Sequence, residues 1–472
     1  MTGVNPQIDD ASGARVLLEN AGLGDAGSWL AALPELRKDF GTDSRACSNF
    51  WALGRKLRAQ LPKRTQRGPD HGAASQLIHR TERELRDRFL GLHVEELYAR
   101  LTANRSRFVR VEDLVRETAR LVAGLTPDTD AMAAERELPL NEKDGIEIDQ
   151  GILLAHVLGH PDCGRHLCHA MLLPRPEAIE LLPRLERDGA VDLERTHVSR
   201  AGKASVVEFR SLRTLNAMDD TMLAPVEIAV DLAILDRGTE IAVLRGGRMV
   251  HPKYAGRRIF SSGLNLTHLY QGKISFLFYF LHVMGFENKI FRGVARPDSS
   301  PDDLAGSTTE KSWIAAVDSF AIGGGCQHLL VMDYVLAEAG AYLTLPARKE
   351  GIIPGMANLR LPRFVGDRLA RQAIMYGRRI DCDTPEGRLI CDEVVPAERM
   401  DAALAQVVDG LTSSGIVSFV GNRRQFRLGQ EPLDLFRRYI ALYAKEQAYC
   451  HFSDGLIANL ERYWNAQARS VA

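Results

Sequence analysis

Apolar positions divide the chain by their period. Up to about residue 200 they recur at helical spacing among charges: Leu77, Ile78, Leu85, Phe89, Leu90, Leu97 and Leu101, then Val111, Leu114, Val115 and Leu121. This pattern predicts amphipathic helices, separated by the breakers at Pro62–Pro69 and Pro127–Asp130. From Ala204 the texture changes. Val206–Phe209 alternates like a strand, Leu215-Asn216-Ala217 makes a turn, Met222–Leu235 has the spacing of an amphipathic helix, and Ile241–Leu244 is a short apolar strand running into Gly246-Gly247. A small-residue turn at Ile259–Leu266 opens another helix. The apolar run Trp313–Val317 leads into Gly323-Gly324-Gly325, a helix-like stretch follows from His328, and a strand is expected near Val331–Leu336. Gly351-Ile352-Ile353-Pro354-Gly355 closes the series. Strand–helix–strand order at this spacing predicts an α/β unit. Pro396–Ala472 is again helical, with Leu435, Tyr439, Leu442 and Tyr443 expected on one face. The predicted organisation is a helical N-terminal domain over 1–203, an α/β core over 204–395 and a helical C-terminal segment over 396–472.

Composition narrows the class. At 472 residues the chain is long enough for two to three domains and a large core. A net charge of −1 with 26% charged residues argues against a nucleic-acid partner. The longest apolar run, Ile274–Met284, is too short to span a membrane and contains His282. No basic start or apolar core at Met1–Asp10 predicts a signal peptide. Seven scattered cysteines fit a reducing cytoplasm. A cytoplasmic enzyme is expected.

Two stretches could carry chemistry. Three glycines between a strand and a helix place bare backbone N–H groups at a helix start, where a phosphate or a developing oxyanion can sit; a purely structural tight turn explains them as well. His156, His160, Cys163, His166, Cys168 and His169 contain metal-ligating types, but the spacing matches no zinc module and Pro161 interrupts it. Core or interface roles are expected there, and no metal site is predicted. Asp219, Asp220 and Asp231 are expected to be solvated charges at a helix start.

The order of the turns, L-N-A (215–217), V-L-R-G-G (243–247), F-S-S-G-L-N-L (260–266), A-I-G-G-G-C-Q (321–327) and G-I-I-P-G (351–355), resembles the crotonase, or enoyl-CoA hydratase/isomerase, superfamily across about residues 204–395. The resemblance implies an α/β superhelix of β-β-α turns, assembly as a homotrimer or homohexamer, and an acyl-CoA substrate. It also implies an oxyanion hole made by the backbone N–H groups of Leu264 and Gly324. Two such donors in a dry site lower an enolate-forming barrier by about 3–4 kcal/mol each.

Departures from the family pattern bear on the chemistry. A hydratase of the family needs two glutamates as an acid/base pair. The positions that match hold Gln327, which neither takes nor gives a proton at neutral pH, and Ala347 in the pair Pro346-Ala347. Hydration is therefore not expected; Glu350 could serve only in a rearranged loop. The long N-terminal region, H-L-C-H-A-M-L-L-P-R-P (166–176) and H-P-K-Y-A-G-R-R (251–258) are similar to a narrower branch, the cofactor-independent arylacetyl-CoA dioxygenases of glycopeptide-antibiotic biosynthesis. That branch oxidises an arylacetyl-CoA with O2 to an arylglyoxylate and free CoA, using no metal or flavin. Carried over by position, Gln327 would hydrogen-bond a ring hydroxyl, and Leu266, Ile352 and Ile353 would wall an apolar chamber. Packing alone accounts for those three equally well. Two polar contacts of the branch are missing. Met218 follows L-N-A where a glutamate is expected, and no arginine precedes Gly285–Lys289, which leaves His282 as a replacement donor in the substrate pocket. Arg213 and Arg258 are the candidate cations for the CoA phosphates, with Arg257 and Lys273 on weaker grounds. Two alternatives stay open: a crotonase-fold thioester hydrolase or isomerase that makes no use of O2, and an inactive CoA-binding scaffold.

Overall fold

Three antiparallel strands, Ala190–Asp192 (β1), Thr196–Ala201 (β2) and Ala204–Phe209 (β3), form one flank of a sheet that continues with parallel strands. The parallel part comes from later in the chain. The computed structural model describes residues 11–300, 302–304, 308–414 and 417–469. Within it, Ile241–Gly246 (β4) pairs with β3, and the short strands Val294–Ala295 (β5) and Thr308–Thr309 (β6) pair only with each other. Ser312–Val317 (β7) then adds to β4. Phe320–Ile322 (β8) leaves for a second sheet, Tyr334–Glu338 (β9) returns to β7, and Tyr342–Thr344 (β10) joins β8. Ile380–Asp381 (β11) pairs antiparallel with β10, and Glu393–Val395 (β12) closes the large sheet beside β9. The orders are β1-β2-β3-β4-β7-β9-β12 and β11-β10-β8.

All six residues of β4 and of β7 are buried. Continuous apolar runs of this kind mark parallel strands covered on both faces. Helix Met400–Thr412 covers one face, packing Val408, Leu404, Val407 and Leu411 against Ala204, Ile241, Val243 and Ile314. Helix Asp220–Leu235 crosses from β3 to β4, as parallel pairing requires.

The chain forms two compact units, Met1–Gly164 with Ile440–Phe452, and Arg165–Tyr439 with Ser453–Ala472. The expected boundaries at 203/204 and 395/396 follow element type rather than compactness. Strands begin at Ala190, inside the region expected to be helical, and the C-terminal helices are divided between the units. The first unit is helical, built around the 33-residue helix Pro69–Leu101 with helices Phe40–Arg58, Val111–Leu121 and Ile148–Gly159. Pro69 stands in its first turn, where the missing N–H costs nothing.

Three local expectations are corrected. The helix after the glycines begins at Gly324 and ends at Leu329, and the next strand is Tyr334–Glu338, because Leu330–Met332 form turns back onto the helix. On the helix Leu433–His451, Leu435 and Leu442 are exposed, while Phe436, Ile440, Tyr443 and Ala444 are buried, so the apolar stripe lies about one residue around from the expected one. Asp231 is fully buried rather than solvated. Its carboxylate accepts from Lys289 Nζ (2.9 Å) and the Arg175 backbone N–H (2.7 Å), and Lys289 also pairs with Glu227 (2.7 Å). Burial together with Glu227 outweighs Lys289 and pushes Asp231 up to about 6. Asp219 instead caps its helix by accepting from the Thr221 N–H, and Asp220 accepts from the Ser275 N–H. Among the described residues, no single helix is long and apolar enough to cross a membrane.

Candidate active site

Five turns, separated by up to 140 residues in the sequence, meet in the second unit. At the L-N-A turn, Leu215 and Asn216 adopt positive φ. This aims the Asn216 amide at the F-S-S-G-L turn, where its Nδ2 donates to Ile259 O (2.8 Å). Ser261 Oγ returns the contact to Asn216 O (3.0 Å) and accepts from the Gly263 N–H (3.1 Å). Met218, buried under this turn, donates its N–H to Gly263 O (2.7 Å). Gly263 (φ +84°) lies so close to the glycine turn that a Cβ there would stand 2.6 Å from Ile322 O and 3.3 Å from the Gly323 Cα. Only glycine permits that approach.

Leu264 and Gly324 follow directly on these touching glycines. Among the described residues, neither backbone N–H donates to a protein acceptor. Two unpaired donors on adjoining turns are the geometry that receives a carbonyl or oxyanion oxygen. The helix behind Gly324 has only six residues and that after Leu264 only five, so the N–H groups themselves, and not a macrodipole, give the site its polarity.

The remaining turns close the pocket from the other side. Gln327 is buried, and its Oε1 rests against Gly355 (φ +45°), where a Cβ would overlap it. Gln327 Oε1 is a buried acceptor with no protein partner among the described residues. Tyr439 fixes the I-I-P-G turn by donating its hydroxyl to Gly355 O (2.7 Å). Ile352, Ile353 and Leu266 are half-buried on the two turns. Of the proposed CoA cations, Arg213, Arg257 and Lys273 are exposed. Arg258 is committed to Glu208 (2.6 Å) and Gly246 O (2.8 Å), which leaves Arg213 the freer of the two leading candidates.

His282 stands on a π-helical segment, Leu281–Glu287, with its Nε2 3.5 Å from the position a Gly324 Cβ would take. π-Turns recur at functional sites. Behind it lies a buried set that sequence reasoning passed over. Glu287 Oε1 is 2.9 Å from His328 Nδ1 and 3.8 Å from His282 Nδ1, and Glu287 Oε2 is 3.6 Å from Arg360 Nη1. Arg360 is itself paired side-on with Glu431 (2.9 and 3.0 Å). Burial presses His282 down to about 4, against the pull of Glu287, and His328 down to about 3; it raises Glu287. Both imidazoles are therefore neutral at physiological pH. The available signal was Glu287-Asn288-Lys289 together with a histidine next to Gln327.

His282, Glu287 and His328 are also the only set of described residues whose ligand-type atoms all lie within 4.8 Å of one another. Arg360 already supplies countercharge to that carboxylate, so a divalent cation there would meet an adjacent positive charge. The residues of the 156–169 stretch are engaged separately. His156 pairs with Asp87 (3.1 Å), His160 Nδ1 accepts from the Cys163 N–H (3.4 Å) and His169 meets Arg296 O (3.2 Å). Burial pushes the Cys168 thiol up to about 12, which keeps it protonated and inert.

Comparison with known proteins agrees with the turn geometry. A family model described as enoyl-CoA hydratase/isomerase matches residues 202–435. A "(3,5-dihydroxyphenyl)acetyl-CoA 1,2-dioxygenase" from Amycolatopsis orientalis is 44% identical over 416 residues, 88% of this chain and 94% of the relative. Among solved structures, an enoyl-CoA hydratase from Mycobacterium avium subsp. paratuberculosis K-10 aligns with a TM-score of 0.46 at 20% identity, covering 59% of this chain and 100% of its own. One from Bacillus halodurans gives 0.47 at 15%, covering 57% and 100%. By the family model and the 44% identical relative, this chain belongs to the enoyl-CoA hydratase/isomerase (crotonase) family.

Proposed function

We propose that the chain is a dioxygenase that oxidises an arylacetyl-CoA thioester with O2 to an arylglyoxylate and free CoA. The observation that carries the reading is the 44% identity, over nearly the whole length of both chains, to a protein named for that chemistry. The site is consistent with it. Hydratase chemistry needs carboxylates at two positions, and these hold Gln327 and Ala347.

In this reading the thioester oxygen sits on the Leu264 and Gly324 N–H groups. Loss of an α-proton leaves an enolate, an electron-rich carbanion that the two donors stabilise. The carbanion reduces O2 and forms a C–O bond at the α-carbon. The resulting peroxide attacks the thioester carbonyl, the C–S bond breaks with release of CoA thiolate, and O–O cleavage with loss of the second α-hydrogen gives the keto acid. Both atoms of O2 enter the product, so the balance needs no external reductant, metal or flavin. Gln327 presents its free carboxamide oxygen to a ring hydroxyl. Met218, where the branch carries a glutamate, and the absence of the arginine before Gly285–Lys289 fit a less hydroxylated or differently shaped ring, with His282 as a replacement donor. Arg213 serves the CoA phosphates. The reading carries with it a trimeric or hexameric assembly in the cytoplasm and a place in secondary metabolism of the antibiotic-forming kind.

The test is to give metal-stripped protein phenylacetyl-CoA and 3,5-dihydroxyphenylacetyl-CoA in an oxygen electrode while following free thiol. Thiol release matched one to one by O2 uptake is expected. Equal thiol release under argon would identify a thioester hydrolase instead.

A further inference from the structure

The reaction class needs a group that accepts the α-proton, and the two positions where the family places carboxylates have none. The space in front of Gly324 is bordered by one basic atom. His282 Nε2 lies 3.5 Å, and Cε1 3.8 Å, from where a Gly324 side chain would begin, and among the described residues they are the only heavy atoms within 4 Å of that point outside the turn and its helix. An acyl oxygen on the Gly324 N–H has its α-carbon two bonds away, so a basic atom packed beside that glycine is within reach of the α-hydrogen. From this geometry we infer that His282 Nε2 is the proton acceptor, with Glu287 as the positioning residue that receives the charge behind it. The inference rests on the reading of the site as an enolate-forming oxyanion hole.

In the step, the α-C–H bond breaks and its proton goes to Nε2. Its electron pair moves into the C–C bond, and the carbonyl π pair moves onto the oxygen held by Leu264 and Gly324. The new imidazolium then faces the Glu287 carboxylate, 3.8 Å from its Nδ1. Every element packed there adds a group. The Gly324–Leu329 helix brings His328, hydrogen-bonded to the same Glu287 oxygen (2.9 Å). The helix Ala357–Tyr376 brings Arg360, 3.6 Å from the other oxygen, with Glu431 behind it. Glu431 is shared among Arg360, Arg363 and Arg292, and Arg360 keeps the Glu287 carboxylate beside the transient imidazolium in its charged form.

Phe278 stacks on the His282 ring (5.8 Å, 22°) and Phe286 meets its edge (4.9 Å, 85°), fixing the ring plane. A neutral imidazole held below its ordinary pKa by burial is free to accept a proton throughout the physiological range. A purely structural histidine would instead direct its nitrogens to backbone or side-chain partners. Among the described residues, His282 has none within hydrogen-bonding distance; its polar neighbours are Glu287, at 3.8 Å, and the His328 ring, with centroids 5.0 Å apart.

The test separates enolisation from oxygen chemistry. Under argon in deuterium oxide, phenylacetyl-CoA is incubated with the parent protein, His282→Ala and His282→Gln, and α-hydrogen exchange is followed by mass spectrometry. The parent is expected to exchange. Both variants are expected to lose about 100-fold or more in exchange rate at saturating thioester and, for His282→Ala, to regain exchange on addition of imidazole. Exchange at the parent rate in either variant would overturn the assignment of His282 alone. Absence of exchange in the parent would overturn the enolate reading of the site, and the assignment with it.

Discussion

Replacing Lys289 with methionine removes the buried ammonium that bridges Asp231 and Glu227 while preserving side-chain length, and leaves Glu227 only the more distant Arg175 guanidinium at 3.8 Å. Lys289 and Asp231 are fully buried and Glu227 nearly so, at Nζ···O distances of 2.7–2.9 Å. Leaving buried carboxylates without their partner costs about 3–5 kcal/mol. At roughly 2 °C per kcal/mol for a unit of this size, the melting temperature should fall by about 6–10 °C. The effect must depend on pH. Asp231 already titrates at about 6, above the ordinary carboxylate range. A carboxyl group raised in this way contributes stability that is complete below its unfolded pKa and is lost as pH rises through its folded value. Without Lys289 that folded value rises further, so the deficit of the variant should be small near pH 5 and grow towards pH 8. Adding Glu227→Gln and Asp231→Asn to Lys289→Met should recover much of the loss and flatten the pH dependence. Scanning calorimetry at a series of pH values measures both. A shift below about 2 °C at pH 8, or one independent of pH, would refute the buried-triad reasoning. Because Lys289 adjoins the segment that carries His282 and Glu287, turnover below the melting temperature should fall as well.

Gly324→Pro removes one of the two unpaired N–H groups, and about a 100–1000-fold loss of turnover is expected in protein whose circular dichroism is unchanged; retained activity would misplace the oxyanion hole. Gly263→Ala puts a Cβ at φ +84° and 2.6 Å from Ile322 O, which should cost at least about 1–3 kcal/mol in denaturant unfolding and, by separating the two turns, reduce turnover more than it reduces stability.

The turns were legible in the sequence because their glycines answer a local demand. Gly263 and Gly355 adopt positive φ and sit where a Cβ would strike another turn of the same chain, and this requirement fixes residue type at fixed order. The strand runs Ile241–Leu244 and Trp313–Val317 were legible because continuous burial leaves only apolar residues, and Val206–Phe209 because its burial alternates. The charged core was not. Asp231 and Lys289 are 58 residues apart, and Arg360 and Glu431 are 71 apart. Asp231, Lys289 and Arg360 lie on helices and Glu431 between two, and for each only the tertiary partner reveals a buried charge. The same limit hid His328, whose role depends on Glu287, 41 residues away. On the helix Leu433–His451 the apolar residues outnumber the positions on any one face, so spacing alone could not choose between Leu435 and Phe436 as the buried member.

The central claim is that an enolate held at Leu264 and Gly324 reacts with O2. The direct measurement is turnover of phenylacetyl-CoA or 3,5-dihydroxyphenylacetyl-CoA under isotopically labelled O2, with mass analysis of the acid released. Both labelled atoms are predicted in the arylglyoxylate, with the third oxygen coming from the thioester. Unlabelled arylacetic acid, formed with free CoA at the same rate under argon, would contradict the account.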